Sequence, residues 1–165
     1  MPPLESIPPK TVPTFVLSQS RVIRAPRSRV YEAWTNPEIL KQWFGPVNTY
    51  CPEATLDVRV GGAYRIAVIS TPESAASAAT AESEQRRATA VGSYTMIVPD
   101  TLLQFTWSPN WNPGEQSIVT ITFKEVEGGT ELTLVHENFN TQESRDGHYK
   151  GWAGSFDKLV RTLES

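Results

Sequence analysis

"AWTNPEILKQWFGP", Ala33 to Pro46, places two tryptophans, two prolines and a glycine in one short segment. Tryptophan carries a large apolar surface, while proline and glycine punctuate regular structure. Just upstream, "APRSRVYEAW" puts Pro26 in the first turn of a helix, with Val30 and Trp34 four apart on one face. That helix stops before Pro37, whose ring disfavours helical geometry in the preceding residue. Asn36 then caps a second short helix with Pro37 in its first turn. Ile39, Leu40, Trp43 and Phe44 give it an apolar side, Gly45 fits a left-handed exit, and Pro46 blocks continuation. Neither helix is long enough to be stable alone, so both must dock on an apolar surface.

The surface comes from strands. "TFVLSQSRVIR", from Thr14 to Arg24, is β-branched and loosely alternating. Beyond the short helices, "NTYCPEATLDVRV" leads to a turn at Gly61-Gly62, and "AYRIAVIS" returns with Tyr64, Ile66 and Val68 in one phase. "AVGSYTMIV" is a further strand and Pro99-Asp100 a turn. In "TLLQFTW", Leu103, Phe105 and Trp107 share a face, and "SPNWNPGEQ" is a loop. "SIVTITFKEVEGGTELTLVHENF" is the clearest hairpin. Val119, Ile121 and Phe123 alternate before Gly128-Gly129, and Leu132, Leu134 and His136 alternate after it.

Two segments lack such patterning. Residues 1–13 read as a flexible arm. Residues at about 71–90, rich in Ala, Ser, Thr and charge, read as a mobile hairpin extension without an apolar face. From Asn140 onward the chain is helical. Asn140 and Glu143 have capping-box spacing, and His148, Trp152, Phe156, Leu159 and Leu163 form one stripe. Gly147, Gly151 and Gly154 fall largely opposite that stripe, so the pattern does not mark them as cavity-lining. They admit a neighbouring segment, or Gly147 breaks the helix. The order is strand, two short helices, about six antiparallel strands, one long helix. This predicts an α+β fold over residues 14–165, a curved sheet around the C-terminal helix. Trp34, Trp43 and Phe44 seal one end.

Composition narrows the function. The 165 residues are 39% apolar and 10% aromatic, with a net charge of -3. That excludes disorder, and unclustered basic residues give no nucleic-acid footprint. No apolar run approaches the ~20 residues of a membrane span, and the N-terminus lacks signal-peptide character. A lone cysteine, Cys51, and two histidines give no disulfide and no zinc spacing, so no metal or cofactor is expected. The expected location is cytoplasmic.

The segments "RAPRSRVYEAWTNPEILKQWFGP", "DVRVGGAYRI", "PDTLLQFTW", "EGGTELTLVHENF" and "GHYKGWAGSFDKLVRTL" together resemble the helix-grip, START-like superfamily. Within it they are most similar to the branch of homologues of the heat-shock-protein-90 ATPase activator. Phe44 and Val60 depart from the Trp and Pro often found there, and the 71–90 extension is longer than that pattern. The resemblance implies a cavity between sheet and long helix, which in the superfamily holds lipids, polyketides or other apolar molecules.

Candidate cavity residues are Trp43, Tyr64, Ile66, Tyr94, Phe105, Trp107, His136, His148, Trp152 and Phe156. Strict alternation turns His136 inward, where it either meets a ligand or is a satisfied core histidine. His148 lies one turn before Trp152 and could meet His136; the bland alternative is a histidine at the cavity mouth. Tyr64, Tyr94 and Trp107 serve equally as walls or as plain core. Asp57 and Arg59 read as a structural pair on a strand. Cys51 lacks an activating neighbour in sequence. No nucleophile-elbow or phosphate-loop pattern occurs.

The leading reading is binding of a small hydrophobic or aromatic molecule, with a homodimer left open. One alternative is a polyketide cyclase-like or hydrolytic enzyme using the same cavity. Another is an ATPase-activator-like protein-binding module, although the resemblance reaches only that activator's C-terminal domain.

Overall fold

A computed structural model describes residues 14–71 and 87–164. Strand β1 (Phe15–Ile23) precedes helices α1 (Arg27–Thr35) and α2 (Pro37–Leu40). Strands β2 (Thr49–Leu56), β3 (Ala63–Ser70), β4 (Arg87–Val98), β5 (Leu102–Pro109), β6 (Ser117–Val126) and β7 (Gly129–Phe139) follow, and α3 (Gln142–Glu164) ends the chain. The seven strands form one sheet in the order β1-β7-β6-β5-β4-β3-β2, every pair antiparallel. This is the helix-grip architecture.

Alternation decides which residues face inward. Leu17 and Ile23 of β1, Val119, Ile121 and Phe123 of β6, and Leu132 and Leu134 of β7 are all buried. Edge strand β2 tolerates Pro52 because its ladder shifts register between Tyr50 and Glu53. α3 packs chiefly over β1 and β7, leaving the β3–β4 side of the concave face uncovered.

The two short helices stopper one end. Trp34 and Trp43 are buried, their rings 4.8 Å apart and edge-on, and Trp43 Nε1 donates to Ala33 O at 3.0 Å. Asn36 Oδ1 accepts from Glu38 N at 3.0 Å, the cap expected for α2.

Several local expectations need correction. Arg87–Ala90 belong to β4, not to the extension, because they pair with Ile66–Ile69. The rest of that segment, residues 72–86, lies outside the described residues, as do residues 1–13. α3 is capped by Thr141, not Asn140: Ser144 N donates to Thr141 Oγ1 at 3.0 Å, while Asn140 N donates to Glu115 Oε2 at 2.8 Å. The buried Glu115 carboxylate holds the Asn140 backbone N–H, and the helix is capped one residue later. Gly147 does not break α3, which runs unbroken to Glu164. Asp57 and Arg59 pair at 3.0 Å, but in the exposed loop after β2.

Candidate functional site

A cavity of about 740 Å³ opens between α3 and the uncovered β3–β4 side of the sheet. It exists for two reasons. α3 leans toward β1, and the strands facing it there carry small residues: Ser70, Ala88 and Ala90 line the wall. The floor is aromatic, built from Phe44, Trp107 and Trp152, with Phe44–Trp152 centroids 5.7 Å apart and Trp107–Trp152 centroids 5.3 Å apart. The rim is polar, with Asn112, Thr141, Glu143 and Ser144.

The helix glycines border this space, contrary to the sequence reading. Gly147 and Gly151 line the cavity, and a Cβ on Gly147 would meet nothing within 4 Å. Only Gly154 serves close approach, since a Cβ there would strike Val47 at 2.9 Å. The helical wheel failed because the cavity lies beside the helix, flanking the stripe that packs on β1. Gly45, at φ +114, makes the exit expected after α2 and donates its N–H to Ser155 Oγ at 3.0 Å. Ser155 is buried in the cavity wall.

The ten sequence candidates separate by depth. Ile66, Trp107, His148 and Trp152 line the cavity. Tyr64, Tyr94 and Phe105 surround a smaller inner void, their rings 5.3 to 6.0 Å apart. Trp43 and Phe156 are fully buried core outside both walls. His136 is fully buried as well and lies behind the cavity wall.

The indoles fix both histidines. Trp152 Nε1 donates to His136 Nδ1 at 3.0 Å. An indole can only donate, so that nitrogen is bare and the proton sits on Nε2. From there it is donated to Ser117 Oγ at 2.7 Å. Trp107 Nε1 likewise donates to His148 Nε2 at 3.2 Å, so His148 Nδ1–H donates to Ser144 O at 2.8 Å. The two rings meet edge-on with centroids 5.2 Å apart. Burial holds His136 well below its ordinary value, and the neighbouring His148 adds to this. Burial lowers His148 too, opposed by its bond to Ser144 and by Glu115. Both rings are therefore neutral at pH 7, with every ring nitrogen engaged.

Burial also holds Cys51 and Tyr64 in their neutral forms. Burial pushes the Cys51 thiol up to about 11. Tyr64 donates its hydroxyl to Thr106 O, and burial raises it well above the usual tyrosine value. Among the described residues, no three His, Cys, Asp or Glu side chains group as a metal site, and no helix is long and apolar enough to cross a membrane.

Two mouth residues escaped the sequence reading. Trp111, about half exposed, lies over His148 with centroids 5.6 Å apart and planes 30° apart. Glu115 is buried and gathers Asn140 N, Ser144 Oγ (2.7 Å) and Asn112 Nδ2 (2.9 Å), tying the loop before β6 to the start of α3. A tryptophan inside the loop "SPNWNPGEQ" was the available signal; Glu115 gave none.

Fold and cavity define a helix-grip protein of the START-like kind. Residues 24–164 match the family of Activator of Hsp90 ATPase homolog 1-like proteins, and the chain belongs to that family. A protein of Chromobacterium violaceum is similar in structure, with TM-score 0.75, 26% identity, and coverage of 92% of this chain and 99% of that one. The AHSA1 protein of Silicibacter pomeroyi shares the fold at TM-score 0.73 and 22% identity, covering 91% of this chain and 98% of its own. An AHSA1-like protein of Aeromonas hydrophila does so at TM-score 0.70 and 18% identity, covering 91% and 92%. No curated protein matches the chain.

Proposed function

We propose that the chain binds a small, largely apolar or aromatic molecule in the cavity between sheet and α3. The observation that carries this reading is the cavity itself. At about 740 Å³ it has the size and the polarity pattern of a small-molecule site: aromatic floor, polar rim, few inward polar groups. The catalytic alternative is less well supported. A general base needs a free nitrogen within reach of substrate, and all four ring nitrogens of His136 and His148 are engaged.

Gly147 provides the test. Leucine there projects into open space, so Gly147→Leu should fill the mouth without disturbing the fold. In a titration with the fluorophore 1-aminoanthracene, the wild type should bind saturably at one equivalent. The variant should bind at least roughly tenfold more weakly, while gaining up to about 1 kcal/mol of stability from helix propensity. Equal binding by the two proteins would refute the reading. If the variant loses binding, native mass spectrometry of protein from its natural source names the occupant.

A further inference from the structure

Charge is unevenly placed around the cavity. Among the described residues that line it, Glu143 alone is charged, and neither a lysine nor an arginine takes part. A second carboxylate stands just behind the mouth. Glu115 is 4% exposed and accepts from Asn140 N, Ser144 Oγ and Asn112 Nδ2, the last two on residues of the rim. Among the described residues, no cationic side chain pairs with it. Its charge reaches the cavity wall, where it opposes the effect of burial on His148. Lys158 lies outside the lining, about four turns beyond Glu143 on α3, and donates its ammonium to Pro46 O and Thr49 O.

Buried charges are ordinarily paired, because taking an ion out of water is costly. The three hydrogen bonds to Glu115 tie a loop to α3, but they supply no countercharge. The N-terminus of α3 offers roughly half a positive charge, less than the two carboxylates around it carry. The mouth is therefore net negative and disfavours an anion. The walls point the same way. Trp107 and Trp111 meet at 73° with centroids 6.3 Å apart, and Trp107 and Trp152 meet at 48°. The N–H groups of Trp107 and Trp152 are spent on His148 and His136, so these indoles offer an occupant ring surface and no hydrogen bond. Trp111 is about half exposed, which leaves ring surface at the mouth as well. Of the aromatic side chains, indole attracts a cation over its face most strongly.

We infer that the cavity takes a cationic ligand: an organic ammonium whose charged head rests against Trp107 and Trp111, on the Glu143 and Glu115 side of the mouth, with its apolar remainder against Phe44 and Trp152. This rests on the binding function proposed above and narrows its ligand class. The carboxylates set the sign of the head and its place at the mouth. The ring surfaces replace part of the water that the head gives up on entry.

The experiment measures displacement of 1-aminoanthracene from the full chain by two probes of matched shape. Benzyltrimethylammonium carries the charge; neopentylbenzene puts carbon in place of nitrogen. At low salt the ammonium should bind roughly three- to tenfold more tightly than the hydrocarbon. Added sodium chloride should narrow that ratio, because the mouth carboxylates are partly open to solvent. Glu143→Gln should weaken the ammonium and leave the hydrocarbon unchanged. Trp111→Leu, which keeps apolar bulk but removes the ring, should also narrow the ratio. If the hydrocarbon binds as tightly as the ammonium or more so, or if neither probe displaces a fluorophore that itself binds at one equivalent, the cationic ligand is wrong and the cavity reading stands. If the fluorophore does not bind at all, both fail. A preference for the ammonium that survives both substitutions undiminished would overturn the placement of its head.

Discussion

The two ends of this molecule use the same residue type to opposite effect. At the stopper, Trp34 and Trp43 meet edge-on at 4.8 Å and are closed over by two short helices. At the cavity, Trp107 and Trp152 stand 5.3 Å apart and border open space, with Trp111 at its mouth. Glycines on α3 and alanines on β4 hold the space open. Aromatic content alone therefore says little about where a protein is full. What matters is whether the next layer carries side chains large enough to fill the space.

The largest expected effect comes from breaking the full end. Trp43 is wholly buried, and Trp43→Ala should cost about 3–5 kcal/mol in a urea titration. A midpoint that hardly moves would show that the stopper end is not tightly packed.

A smaller effect tests the ring cluster joining the two ends. Native His136 and His148 resist protonation, whereas unfolded histidine takes a proton near pH 6.5. The unfolded state therefore binds more protons below that pH, and stability should fall as pH drops from about 6.5 toward the lowered native values. The slope has a ceiling of about 1.4 kcal/mol per pH unit for each histidine. His136, more deeply buried, should hold out longer than His148, which Glu115 partly offsets. A flat stability profile between pH 7 and 5 would show that the rings titrate freely.

The smallest effects sharpen the open end. At Gly151 a new Cβ meets only Pro46 Cγ at 3.6 Å, so Gly151→Ala should stabilise α3 by up to about 1 kcal/mol. At Gly154 the Cβ strikes Val47, so Gly154→Ala should destabilise despite the same helical preference. Thermal melts that rank the two variants the other way would remove the distinction between open and closely approached glycines.

Much of the fold was readable because its signals are local. Alternation in β6 and β7, proline at the start of α2 and the stripe on α3 each involve neighbours in sequence. The site was only partly readable because its geometry depends on where α3 lies across the sheet. Alternation correctly turned His136 inward, but no periodicity could reveal that Trp152 and Ser117 engage its two nitrogens. The wheel placed Gly147 and Gly151 away from the stripe, yet could not show that the cavity lies on that flank. Glu115 takes the Asn140 N–H through a contact twenty-five residues distant, which no local capping pattern reveals.

The pairing of β1 with β7 has a consequence in time. Every other strand pairs with its neighbour in sequence, whereas Thr130 Oγ1 reaches Ala25 O across 105 residues of chain. At roughly 5–20 residues per second of synthesis, β1 waits for several seconds or more before its partner exists. Through that interval its inward Leu17 and Ile23, as well as Val16 and Val22 on the outer side, have no sheet to join. The β2–β6 meander can form meanwhile, so closure by β1 and α3 is the step most exposed to misassembly in a crowded cell.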